Sequence, residues 1–506
     1  MTEPLHELLD TTAASVPGKT AVVSDERTVT YGELAEESRR VAAWLHARGV
    51  RRGDRVAMVL PNRVETVATV FAASRLGAAF VVLNESIKPY HLRHVAEDAA
   101  PKALLVPAGY ELPPEAWLAE VLTLDDYARE VGAGTAGPDN RPAGPPPFPG
   151  ITTDPVCLIY TSGSTAMPKG VVSTHRNVRF AASAIQSRIG VRPDDVVGVF
   201  LPLSFDYGLY QVFLAFQVGA TLALGSDRHV GPGLLRKLRE WKVTGLPLVP
   251  SIATTICRLL RRSPDQELPP LRFITNTGAK LGKRTVDELL ASFPDCEPFL
   301  MFGLTECKRV SIMSPADYTR KPDSVGQPLP DTECLIVGDD GQVLPPGEPG
   351  ELVVRGPHVM SGYWNAPELT AKRYRPWGNG LERALFTGDR CSIDEEGFLY
   401  FLGRDDDIYK SRGYRVSALE IEDAAAGVAG VDEAAVVPPE EEGRGAVLFA
   451  AGSASPDGVM ATLRERLEDY KVPDQVLVLE ELPLNTNGKV DKKRLRELLE
   501  REAVAR

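Results

Sequence analysis

The sequence predicts an α/β protein that has a large N-terminal domain and a small α+β C-terminal domain. Buried-type strands alternate with helical periodicity over residues 54–306, which predicts two βα-repeating subdomains built on parallel sheets. Over 333–355 the pattern changes to CLIV, a DDG turn and ELVVRG, which predicts a small antiparallel, barrel-like part. A third region begins near Gly403, and about a hundred residues suffice for a separate small domain. We therefore expect domains at 1–403 and 404–506.

The first repeating region is followed by a segment that is typical of a linker. Its predicted strands cover 54–60, 78–83 and 102–107, and its helices cover 30–50, 64–76 and 91–99. Residues 132–150 are rich in proline and glycine and contain few large apolar side chains. Alternation then resumes in the second region.

The second and third regions have less regular spacing. The second has predicted strands at 194–202, 220–225, 245–250, 271–278 and 298–306, with helices at 207–218, 234–241, 251–262 and 283–292. The third has predicted strands at 407–416 and 475–483, with helices at 418–428, 459–470 and 490–505. We find no internal repeat.

Composition narrows the class of protein. A chain of 506 residues exceeds the size of a single core, so more than one domain is expected. The 57 Lys and Arg against 69 Asp and Glu disfavour a nucleic-acid partner, because phosphate neutralisation needs basic faces. The cysteines lack C-x-x-C spacing, which favours free thiols in a reducing compartment over disulfides or zinc. With neither a signal peptide nor a membrane-length apolar run, we expect a soluble cytoplasmic protein with no membrane partner.

The stretch CLIYTSGSTAMPKG, over 157–170, has the composition of an anion-binding loop. An apolar strand enters it, and small hydroxyl and glycine residues follow. Such residues let backbone N–H groups face an anion, while Lys169 adds positive charge. The stretch is not a Walker P-loop, because Pro168 precedes the lysine and Gly170 follows it. Taken alone, it is equally compatible with a solvated turn.

Five further motifs follow it in order along nearly the whole chain. They are NTGAKL at 276–281, MFGLTE at 301–306, LFTGDR at 385–390, GRDDDIYKSRGYRVSALEIE at 403–422 and LPLNTNGKVDKKRL at 482–495. Each alone is compatible with an ordinary turn or a solvated charge. Together they resemble the adenylate-forming superfamily, which comprises acyl-CoA synthetases, adenylation domains of nonribosomal peptide synthetases and luciferases.

The resemblance implies an ATP site that uses Mg²⁺. It assigns the β- and γ-phosphates to Thr161, Ser162, Gly163, Ser164, Thr165 and Lys169. It assigns the rest of the nucleotide to Thr277, Gly278, Ala279, Phe302, Gly303, Asp389 and Arg404. Ala166 stands where the family usually has glycine, and a left-handed alanine there costs about 1 kcal/mol.

The resemblance also implies the catalytic residues and a mobile C-terminal domain. Thr305 contacts the α-phosphate, and Glu306 holds Mg²⁺, which favours hard oxygen ligands. Lys489 matches the lysine that bridges the substrate carboxylate and the α-phosphate. Asp406 falls at the hinge about which the small domain rotates between two half-reactions.

The acyl pocket is predicted around FDYGLYQVF, over 205–213. Asp206 matches the aspartate that pairs with the α-ammonium in amino-acid-activating members; the alternative is a helix-capping aspartate. The other predicted walls are Tyr207, Tyr210, Thr275, Met301, Arg309 and Val310. The two tyrosines narrow the pocket and favour a small or cyclic acid. We expect Lys308 and Arg309 to face solvent, with a second acidic group on the substrate as the alternative.

These residues predict an AMP-forming acid–thiol ligase. We expect it to convert a small carboxylic acid, such as the amino acid proline, to an acyl-adenylate and pyrophosphate. The acyl group then passes to the phosphopantetheine thiol of a carrier protein, as in nonribosomal peptide synthesis and secondary metabolism. The alternatives are an acyl- or aryl-CoA ligase and a non-catalytic adenylate-binding homologue. The four residues Glu306, Asp389, Arg404 and Lys489 together disfavour the last alternative.

Overall fold

The structure, a computed structural model, describes most of the chain. The described residues are 3–112, 120–132, 148–161, 167–264, 266–278, 280–380, 382–404, 408–411, 414–439, 445–467, 469, 471–485 and 488–504. The predicted linker at 132–150 lies almost entirely outside them.

Within these ranges the strands and helices alternate as the sequence predicts. The strands are β1 (Thr20–Val23), β2 (Thr28–Thr30), β3 (Arg55–Val59), β4 (Ala79–Leu83), β5 (Ala103–Val106), β6 (Glu120–Thr123), β7 (Pro155–Thr161), β8 (Lys169–Thr174), β9 (Val196–Val199), β10 (Thr221–Leu224), β11 (Gly245–Leu248), β12 (Phe273–Asn276), β13 (Glu297–Phe302), β14 (Ser311–Ile312), β15 (Gln327–Pro328), β16 (Glu333–Val337), β17 (Gly350–Arg355), β18 (Tyr374–Trp377), β19 (Glu382–Ile393), β20 (Leu399–Arg404), β21 (Ile408–Ser411), β22 (Tyr414–Ser417), β23 (Val431–Val437), β24 (Val447–Gly452) and β25 (Gln475–Leu479).

The α-helices are α1 (Glu7–Ser15), α2 (Tyr31–Ala47), α3 (Val64–Arg75), α4 (Pro89–Ala99), α5 (Leu124–Tyr127), α6 (His175–Ile189), α7 (Asp206–Phe216), α8 (Leu234–Glu240), α9 (Pro250–Arg262), α10 (Lys283–Ser292), α11 (Pro367–Arg373), α12 (Ala418–Ala426), α13 (Pro456–Arg466) and α14 (Lys492–Val504). Helix α2 begins with a capping box, in which the Thr30 hydroxyl accepts from the Glu33 backbone N–H and the Glu33 carboxylate accepts from the Thr30 N–H.

The first sheet has six strands in the order β6-β5-β3-β4-β7-β8. Strands β6 to β7 are mutually parallel, and β8 closes the sheet as an antiparallel edge. In the β7–β8 hairpin, Tyr160 pairs with Gly170 and Thr161 with Lys169. The two ends of the predicted phosphate loop are therefore fixed by sheet hydrogen bonds.

The second sheet has nine strands in the order β15-β14-β13-β12-β11-β9-β10-β1-β2. Its centre is parallel, and β1 adds to it by pairing in parallel with β10, with Val22 opposite Leu222. The N-terminal hairpin β1–β2 thus belongs to the second sheet and not to the first, which the sequence did not indicate. Tyr31 secures this arrangement, because its buried hydroxyl donates to the Ala220 carbonyl oxygen.

The predicted antiparallel part is a five-stranded sheet that packs beside the two parallel ones. Its order is β16-β17-β19-β18, with β20 paired to β19. The predicted hairpin over 333–355 is confirmed, with Glu333 opposite Arg355. Asp389 and Arg404 lie opposite each other on β19 and β20, so the pairing alone brings two predicted site residues together.

The C-terminal region forms a separate small α+β unit. A two-stranded sheet, β21–β22, and a three-stranded sheet, β23-β24-β25, pack with α12, α13 and α14. Its apolar clusters contain only residues after position 408, whereas the other clusters contain only residues up to 401. The mixed α/β fold with a small C-terminal domain is therefore confirmed, and the exact boundary at 403/404 stays a prediction.

Three smaller observations complete the fold. All six cysteines lie in the described residues and none forms a disulfide, as the sequence predicts. Among the described residues, no helix has both the length and the apolar character that a membrane crossing requires. Helix α13 ends at Arg466, four residues before its predicted end, and α1, α5, α6 and α11 were not predicted.

Candidate active site

The C-terminal ends of β7 and β13 and the β19–β20 pair surround one cavity. Its polar lining consists of Thr161, Lys169, Glu306, Tyr363, Arg373, Thr387 and Arg404. Ser162, Gly163, Ser164 and Thr165, together with Ala166, Ala279 and Asp406, lie outside the described residues. The flanks of the phosphate loop nevertheless reach this cavity, because both Thr161 and Lys169 line it.

Lys169 projects into the cavity from the first residue of β8. Its ammonium lies 5.8 Å from the centre of the Tyr363 ring. Tyr363 reaches this position because the segment around it pairs with β8: the Trp364 N–H donates to the Gly170 oxygen at 2.7 Å. Burial, and then the nearby Arg373, lower the pKa of Lys169. The ammonium is therefore desolvated and has the surroundings of a cation that binds an anion.

Glu306 lies at the end of the MFGLTE turn and faces the same cavity. The Tyr363 hydroxyl donates to its Oε1 at 2.6 Å, and its own backbone oxygen accepts from the Met360 N–H at 2.9 Å. The Tyr363 hydroxyl thus orients the carboxylate and the second bond holds the backbone, while Oε2 has no hydrogen bond to a described residue. One oriented carboxylate beside a phosphate loop fits Mg²⁺, which is held in proteins by one or two carboxylates together with substrate phosphates.

Asp389 is almost fully buried, with 1% of its surface exposed. Its Oδ1 accepts from Arg404 Nε at 2.9 Å, whereas its buried Oδ2 has no hydrogen-bond partner. Burial raises the pKa of Asp389 to about 6, although Arg404 opposes the rise. A buried carboxylate oxygen without a donor is costly, and it fits a ligand that brings hydroxyl groups.

Four further residues predicted to contact the nucleotide lie at or just after the ends of β12 and β13. Phe302 packs against Phe401, with the ring centres 5.2 Å apart. Thr277 is 2% exposed, and its buried hydroxyl has no hydrogen-bond partner. Gly278 follows with φ of +88°, a backbone conformation that glycine adopts without strain. Gly303 is required for another reason, since a Cβ there would lie 1.9 Å from the Lys308 oxygen.

Lys489 extends from the C-terminal domain to Gly278 and Phe205, between the residues predicted to bind nucleotide and those predicted to bind the acid. A Cβ on Gly278 would lie 3.1 Å from its Cε, and its ammonium lies 6.0 Å from the Phe205 ring centre. The turn that carries it is closed by the Asn485 N–H, which donates to the Lys489 oxygen at 2.7 Å. Burial, and then Arg404, lower the pKa of Lys489, while Asp206 raises it.

Asp206 is buried at the start of α7 and does not cap the helix. The N-cap residue is Phe205, which offers no side-chain oxygen, and Asp206 already lies within the first helical turn. The capping alternative is therefore wrong. The Asp206 carboxylate instead lies 3.6 Å from the Lys308 ammonium, with both side chains buried.

Lys308 and Arg309 do not face solvent, which corrects the sequence-based expectation. They are 1% and 5% exposed. Lys308 adopts φ of +60°, and the chain folds back so that both side chains enter the protein. The tyrosines of α7 receive them: Lys308 Nζ lies 5.4 Å from the Tyr210 ring centre, and Arg309 Cζ lies 4.8 Å from that of Tyr207.

Both cations retain unused hydrogen-bond donors. Lys308 Nζ and Arg309 Nε are buried without a partner, and so is the Tyr210 hydroxyl. The Tyr207 hydroxyl, in contrast, lies 2.6 Å from Thr275 Oγ1, which fixes its ring. Buried donors without hydrogen-bond partners are costly, and these two fit an anion with hydrogen-bond acceptors.

The two remaining predicted pocket residues, Met301 and Val310, are buried close to this group. Met301 pairs with Ile312 across β13 and β14, and the Val310 N–H donates to the Phe302 oxygen at 2.8 Å. Two residues of the cavity were missed by sequence reasoning: Tyr363 and Arg373. Both lie in the segment between the MFGLTE and LFTGDR motifs, where no motif had been recognised.

Comparison with known proteins identifies the family. The sequence pattern of the AMP-binding enzyme family matches residues 9–364. The pattern of the AMP-binding enzyme C-terminal domain matches residues 420–489. The chain belongs to the family of AMP-binding enzymes, and the resemblance to adenylate-forming enzymes is confirmed. It is an AMP-forming ligase that uses ATP and Mg²⁺.

Two relatives of very different length match almost the whole chain. A feruloyl-CoA synthase from Amycolatopsis sp is 34% identical, over 95% of this chain and 96% of that protein. Tyrocidine synthase 3 from Brevibacillus parabrevis is 31% identical, over 99% of this chain. The chain spans only 8% of the length of that synthase.

Two solved structures are similar along most of the chain. VinN in complex with L-aspartate is 40% identical with a TM-score of 0.71, covering 79% of this chain and 99% of that one. O-succinylbenzoate coenzyme A synthetase from Bacillus subtilis, in complex with ATP and magnesium ion, is 28% identical with a TM-score of 0.83. That alignment covers 98% of this chain and 100% of the synthetase.

Proposed function

We propose that this ligase activates a small amino acid with a second carboxylate, of the aspartate type, and transfers it to a carrier protein. The observation that carries the proposal is the buried group of opposite charges formed by Asp206, Lys308 and Arg309. Such a group is costly to bury unless a ligand uses its unpaired donors and acceptors. An aspartate-type acid supplies both an ammonium and a second carboxylate.

Asp206 is proposed to pair with the substrate ammonium. Without substrate, the Lys308 ammonium is the cation nearest to it, at 3.6 Å and too far for a strong hydrogen bond. A substrate ammonium at hydrogen-bond distance would therefore be the better partner for the carboxylate. Lys308 and Arg309 would then bind the second carboxylate through donors that have no partner now.

Proline, our example from the sequence, uses only part of this group. It carries an ammonium for Asp206 but no second carboxylate for Lys308 and Arg309. A fatty or plain aromatic acid would leave all three buried charges without a partner from the substrate. The binding of L-aspartate by VinN supports the same substrate class.

The proposed reaction needs no protein nucleophile, because the substrate carboxylate is itself the nucleophile. Thr305 contacts the α-phosphate, while Lys489 holds the attacking carboxylate against it and offsets the developing charge. Lys169 and the phosphate loop bind pyrophosphate as the leaving group. Mg²⁺ held by Glu306 would neutralise phosphate charge. Phe302, Thr277 and their neighbours bind adenine, and Asp389 with Arg404 binds the ribose.

The second half-reaction is proposed to use a rotation of residues 404–506 about a hinge at Asp406. In the present arrangement Lys489 lies beside Gly278 and Phe205, which supports the proposal that this arrangement serves adenylate formation. Contacts across the interface include exposed ion pairs such as Lys280–Asp423 at 2.7 Å and Arg258–Glu481 at 3.0 Å. Exposed pairs contribute about 0–1 kcal/mol each, so they permit such a rotation.

The thiol acceptor is proposed to be the phosphopantetheine arm of a carrier protein. The similarity to peptide synthetases and the amino-acid-type pocket support this acceptor. The similarity to feruloyl-CoA synthase favours a second candidate, an aryl-CoA ligase. Incubation with ATP, the acid and either carrier protein or CoA separates the two, since only one acceptor should be acylated efficiently.

Pyrophosphate exchange across a panel of acids tests the substrate class. We expect L-aspartate or a close homologue to give the fastest exchange, and L-alanine and L-proline to be slower by about 10²-fold or more. L-Alanine and L-proline lack a second carboxylate, so both leave Lys308 and Arg309 without a carboxylate partner. Faster exchange with proline, or with ferulate, would contradict the proposal.

Asp206→Asn should lower kcat/KM for the amino acid without changing ATP binding.

The proposed role of Asp389 predicts a pH dependence of nucleotide binding. Only the ionised carboxylate can accept from two ribose hydroxyls. Because its pKa is raised to about 6, AMP affinity should be constant above pH 7. It should then fall by about tenfold per pH unit below pH 6. Calorimetric titration with AMP between pH 5 and 8 measures this, and Asp389→Asn should bind weakly without the pH dependence. If AMP affinity of the Asp389→Asn variant depended on pH as it does in the wild type, a group other than Asp389 would be responsible.

A further inference from the structure

We propose that Arg373 is a ligand of the β- and γ-phosphates of ATP, and that with Lys169 it holds the departing pyrophosphate. The inference rests on the ATP-dependent activity of the family and is independent of which acid is activated. Arg373 belongs to none of the motifs that predicted the nucleotide site. Its place in the fold assigns it this role.

Arg373 is the last residue of α11 and lines the cavity that also contains Lys169 and Glu306. The side chain is partly buried, and one N–H donates to the Phe386 oxygen at 3.3 Å. A guanidinium carries five N–H donors, so most of its donors remain available. Its planar fork matches a phosphate group bidentately.

Gly388 makes room for this guanidinium. A Cβ at that position would lie 2.4 Å from Arg373 Nη1, and Gly388 itself has φ of +69°. The same glycine is held in place, because its N–H donates to Glu351 Oε1 at 3.0 Å. The head of Arg373 is therefore positioned against the turn that presents Asp389, on the cavity side of β19.

Arg373 has no close ion-pair partner, although its charge acts on Asp389 at longer range and opposes the rise that burial causes in the pKa of that carboxyl. Among the described residues, none lies in an ion pair with it within 4.0 Å, whereas Arg355 pairs with both Glu333 and Glu382. Its positive charge lowers the pKa of Lys169, so two cations repel each other across one cavity. Glu306 is the acidic side chain lining that cavity, and it is proposed to bind Mg²⁺. A polyphosphate between Lys169 and Arg373 would remove the repulsion.

If Arg373 had only a structural role, a different result would be expected. Arg373 lies in the last turn of α11, where a cation stabilises the helix dipole, and its bond to Phe386 joins α11 to β19. Loss of that role would lower stability and weaken all parts of the nucleotide equally. Loss of a phosphate ligand would weaken ATP and pyrophosphate but not AMP.

The test compares ligand affinities in the whole 506-residue chain. We expect Arg373→Gln to weaken binding of magnesium pyrophosphate and ATP by about 10- to 100-fold, and to leave AMP affinity unchanged. Arg383→Gln is the matched control, because Arg383 is an exposed arginine on β19 whose loss changes net charge equally. Calorimetry with pyrophosphate, ATP and AMP, without any acid, gives the readout.

Equal weakening of AMP and pyrophosphate, or unchanged pyrophosphate affinity in a folded variant, would overturn the inference. If Arg373→Gln does not fold, Arg373→Lys replaces it; it keeps the charge and removes the bidentate fork, so pyrophosphate should still bind more weakly than to the wild type. Failure of the aspartate-type substrate assignment would leave these results unaffected, because no acid is present.

Discussion

Replacing Lys489 with alanine is expected to slow acyl-adenylate formation by about 10²- to 10³-fold while leaving the thiol-transfer step nearly unchanged. The ammonium is desolvated beside Phe205 and Gly278, where a charge stabilises a transition state more strongly than it does in water. It lies between the proposed nucleotide and acyl sites, so its removal affects positioning and charge together. In the second half-reaction the proposed rotation carries it away.

The two half-reactions can be measured separately. Single-turnover release of pyrophosphate reports the first, and reaction of a synthetic acyl-adenylate with the thiol acceptor reports the second. Lys493→Ala is the control, because Lys493 is an exposed lysine of the same domain. An equal loss in both half-reactions would mean that Lys489 supports the fold or domain contact and not adenylation.

Replacing Lys308 with methionine is expected to be the second largest change, and to affect both stability and substrate choice. The variant leaves the Asp206 carboxylate buried with its cation removed, a change that costs about 3–5 kcal/mol of unfolding free energy. It also removes a proposed ligand of the second carboxylate. Exchange with L-aspartate should therefore fall by about 10²-fold or more relative to wild type.

A double variant distinguishes the two effects. Adding Asp206→Asn to Lys308→Met removes the buried charge and should recover much of the lost stability in denaturant titration, but not the exchange activity. Lys280→Met is the matched control, since its pair with Asp423 is exposed and should contribute about 0–1 kcal/mol. Retention of full L-aspartate exchange in Lys308→Met would refute the proposed role of this lysine.

Much of the fold could be predicted because the local patterns agree with the final structure. Strands β3, β4 and β5 are buried on both faces and therefore read as continuous apolar runs. The position of β1 could not be predicted. A four-residue strand contains too little pattern to specify a partner. Its partner strand β10 comes later in the chain than every strand of the first sheet.

The motifs predicted most of the residues that line the cavity, whereas the buried arrangement of Asp206, Lys308 and Arg309 could not be predicted. Lys308 and Arg309 follow a conspicuous acidic residue, and two adjacent cations are usually solvated. Their burial depends on a left-handed Lys308 and on tyrosine rings supplied by α7, about a hundred residues earlier, and no local pattern contains either feature. Tyr363 and Arg373 were missed for a similar reason, since pairing with β8 and packing on Gly388 bring them to the cavity.

The insertion of β1 into the second sheet has a consequence for the order of folding. All six strands of the first sheet come from residues 55–174, so this sheet can close as soon as that length has been synthesised. Strand β1 precedes this sheet in the chain, whereas its parallel partner β10 follows it. Strand β1 can therefore take its place in the second sheet only after all residues of the first sheet have been synthesised. Until β10 is available, the edge of β1 that it covers in the folded protein is unpaired, and an unpaired strand edge is prone to mispairing.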